Sequence, residues 1–226
     1  MSLKSKLFLR LFLGLIIVAA MLFIPAGSLR FWQGWVFMPL VFIPVISFYL
    51  HFYKHDPQLI GRRLQSKEKV SEQRFLIRLL KPVFFAAFLL PGLDYRFGWS
   101  RAYVGAVPLW LTVLSQVLIL GGLLLVFWVL KVNSFASRTI QVEAGQSVIS
   151  GGPYSMVRHP MYSGSVVMWL VIPLALGSYV AWPAFALLIP LYVFRLLNEE
   201  KVLRQELPGY SGYCLRTRYR LIPFVW

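Results

Sequence analysis

Of 226 residues, 58% are hydrophobic and 14% charged, and 23 Lys and Arg face 8 Asp and Glu for a formal charge of +15. The mean hydropathy is +0.68. These values exclude a soluble globular domain, which is about one quarter charged, and the 16% aromatic content excludes intrinsic disorder. The single cysteine, Cys214, excludes an internal disulfide and a cysteine-based zinc site, and no metal site is expected.

A helix needs about 20 apolar residues to cross the hydrocarbon core. Residues 7–26 supply them, with Arg10 able to snorkel toward the headgroups. A signal peptide is not expected there, because Pro25, Ala26 and Gly27 lead directly into Trp32 and the next apolar run, with no small-residue cleavage site. The second span covers 32–53, with Trp and Tyr as interfacial anchors. The 54–76 segment is polar with a helical rhythm, which predicts an interfacial helix on the cytoplasmic surface. A third span over 77–93 contains Pro82, and a fourth over 103–130 is long enough to tilt.

The last apolar block, 161–197, would make a helix of about 55 Å, nearly twice the bilayer core. Gly177, Ser178, Trp182 and Pro183 at its middle predict a tight helical hairpin. The fold expected is all-α, a polytopic membrane bundle of about six spans with both termini cytoplasmic. A variant counts five spans, with the hairpin as two half-steps. Residues 1–130 would be membrane helices and 131–226 the catalytic region of one membrane domain.

Charge tests this topology. The amino end, 54–81, 131–158 and the chain from Arg195 onward hold 20 of the 23 basic residues; the other side holds Arg30, Arg96 and Arg101. The positive-inside rule then puts both termini in the cytoplasm. The basic excess is topological, so nucleic acid is not expected as a partner, whereas membrane lipids are.

Polar residues concentrate in two stretches flanking the hairpin, 133–162 and 195–213. A hairpin brings its ends together, so these stretches should meet in one pocket open to water and to lipid. Gly151, Gly152 and Pro153 form a turn, and Pro160 suits a first helical turn. The free N–H groups of that turn, beside Arg158 and His159, make an anion site; the plainer alternative is a pair of interfacial anchors. Arg195 and Glu199 are four apart and share a helix face. Glu199 follows 36 uncharged residues, which favours a functional carboxylate, whereas Glu200 has the favourable order for a surface pair with Arg204.

The segments GGPYSMVRHPMYSG (151–164), NEEKVLRQELPGYSGY (198–213) and LIPF (221–224), in this order around a charge-free hairpin, resemble the isoprenylcysteine carboxyl methyltransferase family and its bacterial relatives. Leu207-Pro208-Gly209 stands where that family usually has Phe-Gly. The resemblance covers roughly 133–226 and implies S-adenosylmethionine as cofactor, bound without a Rossmann domain; indeed no G-x-G-x-x-G opens a βαβ unit here. It implies cofactor binding by Tyr154, His159, Pro160, Met161, Tyr162 and Glu199, and, by spacing alone, by Gln146, Ser147, Val148 and Ile149. Arg195 matches the position that holds the acceptor carboxylate. A carboxylate acceptor is already anionic at neutral pH, so no general base is required.

The acceptor implied is lipophilic and enters from the membrane. Alternatives are a phospholipid or other small-lipid N- or O-methyltransferase, or a non-enzymatic membrane protein such as an assembly factor or transporter. A transporter should show charges or broken helices near midplane in repeated halves, and no repeat is present. A related membrane fold serves in sterol reduction with a nicotinamide cofactor, but this chain lacks the extra spans such enzymes carry. Phe224-Val225-Trp226 carries no C-a-a-X signal, so the chain is not expected to be its own substrate. No oligomeric state is read from the sequence.

Overall fold

The computed structural model describes residues 2–65, 71–137 and 139–226. Among them every regular element is helical: α1 (Leu3–Ala26), α2 (Trp32–His55), α3 (Pro57–Leu64), α4 (Ser71–Phe97), α5 (Trp99–Tyr103), α6 (Leu109–Val132), a 3-10 turn (Gly152–Ser155), α7 (Pro160–Ala175), α8 (Trp182–Ala186), α9 (Leu188–Glu206) and α10 (Tyr210–Arg216). Helices α1, α2, α4 and α6 are long and apolar enough to cross a membrane. The chain is an integral, multi-pass helical membrane protein.

Local chemistry sets the helix limits. The Ser2 hydroxyl caps α1 by accepting from Ser5 N–H, and Gly27 ends it in the left-handed region, its N–H returned to Phe23 and Ile24. Asp56 caps α3 through Leu59 N–H, with Pro57 in its first turn. Pro25, Pro39, Pro44, Pro82, Pro91 and Pro173 all lie inside helices, which the bilayer tolerates because packed neighbours re-satisfy the freed backbone. Close packing needs small residues. At the α1–α4 crossing, a Cβ on Gly92 would stand 2.4 Å from the Leu22 carbonyl oxygen.

Three sequence boundaries move. The third span, expected over 77–93, is longer at both ends: α4 runs over Ser71–Phe97 with Pro82 inside it. The fourth begins at Leu109, because Val104–Pro108 breaks away from α5. The interfacial helix expected over 54–76 reduces to α3, since α2 extends to His55 and α4 starts at Ser71; residues 66–70 lie outside the described residues. The 161–197 block is a hairpin as expected, turned at Gly177 (φ 73°). Its first arm, α7, has 16 residues, about 24 Å, short of the roughly 30 Å core. The expected six spans thus resolve into four long helices and one pair of short passes.

One buried cluster joins Leu7, Phe52, Leu59, Ile60 and Leu130. It collects the start of α1, the end of α2, α3 and the end of α6 at one end of the bundle, where α7 starts and α9 finishes. The four basic regions therefore share that end. At the other end, buried Asp94 of α4 accepts hydrogen bonds from Ser100 N–H (2.7 Å), the Ser100 hydroxyl and the Ser178 hydroxyl (2.5 Å). Ser100 Oγ accepts in turn from Tyr179 N–H (2.9 Å) and Val180 N–H (3.2 Å). This polar knot ties the turn of the hairpin to α4 and α5.

Candidate functional site

The two polar stretches meet at the basic end. The Tyr162 hydroxyl donates to Glu199 Oε2 at 2.7 Å. The Tyr213 hydroxyl donates to the Tyr154 carbonyl at 2.7 Å, and Asn133 Nδ2 donates to the Tyr154 hydroxyl at 2.8 Å. Leu207, Tyr210, Tyr213 and Cys214 pack on Val142, Val148 and Tyr154, which fixes α10 against the 142–154 segment.

Between them lies a cavity of about 740 Å³, within the roughly 300–1,000 Å³ range of small-molecule sites. Every site residue singled out from the sequence lines it: Gln146, Ser147, Val148, Ile149, Tyr154, His159, Pro160, Met161, Tyr162, Arg195 and Glu199. One side carries polar groups, from Gln146, Ser147, Tyr154, His159 and Glu199. The other is mainly apolar, with Ile77, Leu80, Phe84 and Phe85 of α4, Leu123 and Val126 of α6, Met168 of α7 and Leu188 of α9, and Lys81 as its one α4 cation among the described residues. Arg195 lies at the join, its Nη1 donating to Gln73 Oε1 at 3.1 Å, and Gln73 Nε2 donates back to the Arg195 carbonyl at 3.5 Å.

The carboxylates differ from the sequence expectation in one respect. Glu200 is not in a surface pair with Arg204; it is 3% exposed, with Arg158 Nη1 at 2.9 Å, Arg220 Nε at 3.0 Å and His159 Nε2 at 3.3 Å. Burial works to raise its pKa, but hydrogen bonding and charge from His159, then Arg220 and Arg158, hold it at about 2. Partner distance in sequence explains the miss: Arg158 and Arg220 lie 42 and 20 residues away, outside the helical neighbourhood in which a pair with Arg204 is read. Arg158 and His159, expected beside a free anion site, are committed to Glu200, and Arg158 Nη2 also donates to the Arg218 carbonyl at 3.0 Å.

Tyr154, Tyr210 and Tyr213 are held in the neutral form. Burial pushes the Tyr154 phenol up to about 12 and raises those of Tyr210 and Tyr213 as well. They offer donors and aromatic faces rather than charge.

Sequence reasoning also passed over the support of the 133–146 loop. Arg62 of α3 pairs with Glu143 (2.7 Å), donates to the Ser134 carbonyl (2.9 Å) and stacks over Phe135 (5.0 Å). Arg63 donates to the Ala136 carbonyl (3.4 Å) and lines the cavity. The adjacent Arg62-Arg63 pair on an amphipathic helix was the available signal.

The donor set fits S-adenosylmethionine. Glu199 suits ribose hydroxyls or an ammonium, the start of α7 suits a carboxylate, and the aromatic faces of Tyr154 and Tyr162 suit a sulfonium. The Tyr210 hydroxyl and Arg158 Nε, on two lining residues, are buried without a hydrogen-bond partner among the described residues. No group of three or more His, Cys, Asp and Glu that could hold a metal occurs among the described residues.

Residues 110–208 match the phospholipid methyltransferase family. Over 94 residues the chain is 34% identical to the mouse (Mus musculus) protein Delta(14)-sterol reductase TM7SF2, a stretch covering 39% of this chain and 22% of the reductase. The chain thus aligns with about a fifth of the curated relative it matches. One similarity is thus to a methyltransferase family and the other to a sterol reductase. The family match runs from α6 to just beyond the end of α9, a stretch that supplies most of the cavity lining.

Proposed function

We propose that this protein transfers a methyl group from S-adenosylmethionine to a lipophilic acceptor, with the cavity at the cytoplasmic end of the bundle. The observation that carries the proposal is the two-sided cavity, polar toward the 146–149 strip and Glu199 and apolar toward α4 and α6. Similarity to the phospholipid methyltransferase family supports the same reading. When bound, the cofactor supplies an electrophilic methyl group.

This chain's own residues bind, orient and exclude water. Glu199, positioned by the Tyr162 hydroxyl, and the start of α7 hold the polar groups of the cofactor, with His159 contributing Nδ1, the ring nitrogen that does not face Glu200. Tyr154 and Tyr162 present aromatic faces. Arg195, braced by Gln73, holds the polar end of the acceptor while its tail lies along α4 and α9. In this arrangement the two reactants are oriented and water is displaced, which serves an anionic nucleophile that needs no proton removed. An isoprenylcysteine-like carboxylate suits the planar guanidinium of Arg195.

A second reading, a phospholipid amine or hydroxyl acceptor, is favoured by the family matched over 110–208. Transfer of label from S-adenosylmethionine to a panel of prenyl-cysteines, fatty acids and phospholipids separates the two. On a carboxylate, Arg195→Lys lowers turnover roughly ten- to hundred-fold through loss of one charge-assisted hydrogen bond, with cofactor affinity unchanged. On an amine the effect is small. No transfer to any member, with nicotinamide-dependent reduction of a sterol instead, would refute the methyltransferase reading.

A further inference from the structure

A second cleft, of about 270 Å³, lies between the 3-10 turn and the segment after α10, lined by Ser155, Met156, Arg216, Arg218, Tyr219 and Phe224 among others. Arg216 and Arg218 are both exposed, and neither forms an ion pair among the described residues. Ser155 and Tyr219 also line it, the Ser155 hydroxyl donating to the Gly152 carbonyl at 2.7 Å.

The depth of this cleft follows from its backbone bonds. Arg158 N–H donates to the Tyr219 carbonyl (2.9 Å) and His159 N–H to that of Arg220 (3.0 Å). The Ser163 hydroxyl, one turn inside α7, donates to the Leu221 carbonyl (2.6 Å). The chain after Tyr219 therefore descends alongside the first turn of α7, into the level at which that helix enters the apolar layer. There it turns a contiguous apolar edge outward: Phe224 is 87% and Val225 73% exposed, with Ile222 and Met156 also exposed. Phe224 holds φ +65°, the left-handed region, and among the described residues it is the one non-glycine residue to do so. An aromatic residue adopts that conformation at a cost in energy. Here it presents a ring outward at interfacial depth, packed at a tilt on Tyr219 with centroids 5.4 Å apart.

Two exposed guanidiniums above an apolar edge at the membrane interface match an amphiphile whose head is an anion. The geometry points to this cleft as a binding site for an anionic phospholipid, its phosphate on Arg216 and Arg218 and its acyl chains against Phe224, Val225 and Met156. The site is separate from the cavity and does not depend on the acceptor assigned there.

Titration of phosphatidylglycerol and phosphatidylcholine into the detergent-purified full chain, followed by native mass spectrometry, tests it. Wild type should bind phosphatidylglycerol in preference to phosphatidylcholine. Arg216→Gln with Arg218→Gln should lower the affinity for phosphatidylglycerol roughly 30-fold, about five-fold for each basic residue. Phe224→Ser should weaken both lipids, and Arg101→Gln, exposed at the other end of the bundle, neither. Unchanged circular dichroism keeps the variants comparable. Equal phosphatidylglycerol affinity in wild type and the double variant overturns the proposal. So does full competition by inorganic phosphate combined with no effect of Phe224→Ser, which would make the cleft a site for a soluble anion.

Discussion

Glu200→Gln removes one negative charge from a cluster in which Arg158, His159 and Arg220 all face the same carboxylate. The Glu200 pKa falls from 4.5 to about 2, and a shift of that size corresponds to roughly 3 kcal/mol of stability at neutral pH. The structure gives the same magnitude by another route. Arg158 is buried and would lose its anionic partner, and breaking a buried pair from one side costs about 3–5 kcal/mol. For a chain of this length each kcal/mol moves the midpoint by about 2–4 °C, so Glu200→Gln should lower Tm by about 6–12 °C. The pH profile carries the sign. A depressed folded-state pKa contributes stability that is complete above about 4.5 and is lost as pH falls toward about 2. Wild type should therefore lose Tm across that window more steeply than Glu200→Gln. Thermal scans by circular dichroism at one fixed rate allow the comparison even where unfolding is irreversible. Equal Tm at pH 7, with parallel profiles down to pH 2, would refute the view that this carboxylate clamps α7, α9 and the 218–221 segment together.

Glu199→Gln and His159→Ala should each weaken S-adenosylmethionine roughly ten- to hundred-fold by calorimetry, the worth of one charge-assisted hydrogen bond; unchanged affinity in both would remove them from the cofactor site. Glu199→Gln should in addition leave Tm nearly unmoved, in contrast to its neighbour. Reporter fusions after residues 5, 65, 145 and 220 should all read cytoplasmic, because the regions carrying 20 of the 23 basic residues share one end of the bundle; a non-cytoplasmic signal at 145 would put the cavity on the side without cofactor. Gly92→Ala places a methyl 2.4 Å from the Leu22 carbonyl oxygen and should cost about 1–3 kcal/mol through overpacking, measured as a lower Tm with cofactor affinity retained.

The sequence disclosed most where chemistry is local. Apolar runs of about 20 residues, the Gly177 turn and the Arg-His-Pro helix start were all legible, because each depends on a few neighbouring residues. The polar stretches could be expected to meet since a hairpin rejoins its own ends. Contacts set by tertiary packing were not legible. Nothing along the chain pairs Gln73 with Arg195, 122 residues apart. Glu200 was misread for the same reason: a favourable helical neighbour was visible, and three distant cations were not. Asp94 was overlooked although its signal was visible, an acid at the edge of an apolar run, where burial demands a partner. The break at Val104–Pro108 was hidden because apolar residues continue through it.

The knot of Asp94, Ser100 and Ser178 bears on how a bulky molecule could enter. With the bend of the hairpin pinned to α4 and α5 at the far end, α7 and α9 can separate only as tweezers do, about a fixed fulcrum. Over the roughly 24 Å arm of α7, a rotation of about 10° parts the tips by about 4 Å, close to the width of one hydrocarbon chain. The leverage falls to nothing at the fulcrum. An opening of this kind leaves the far end of the hairpin closed.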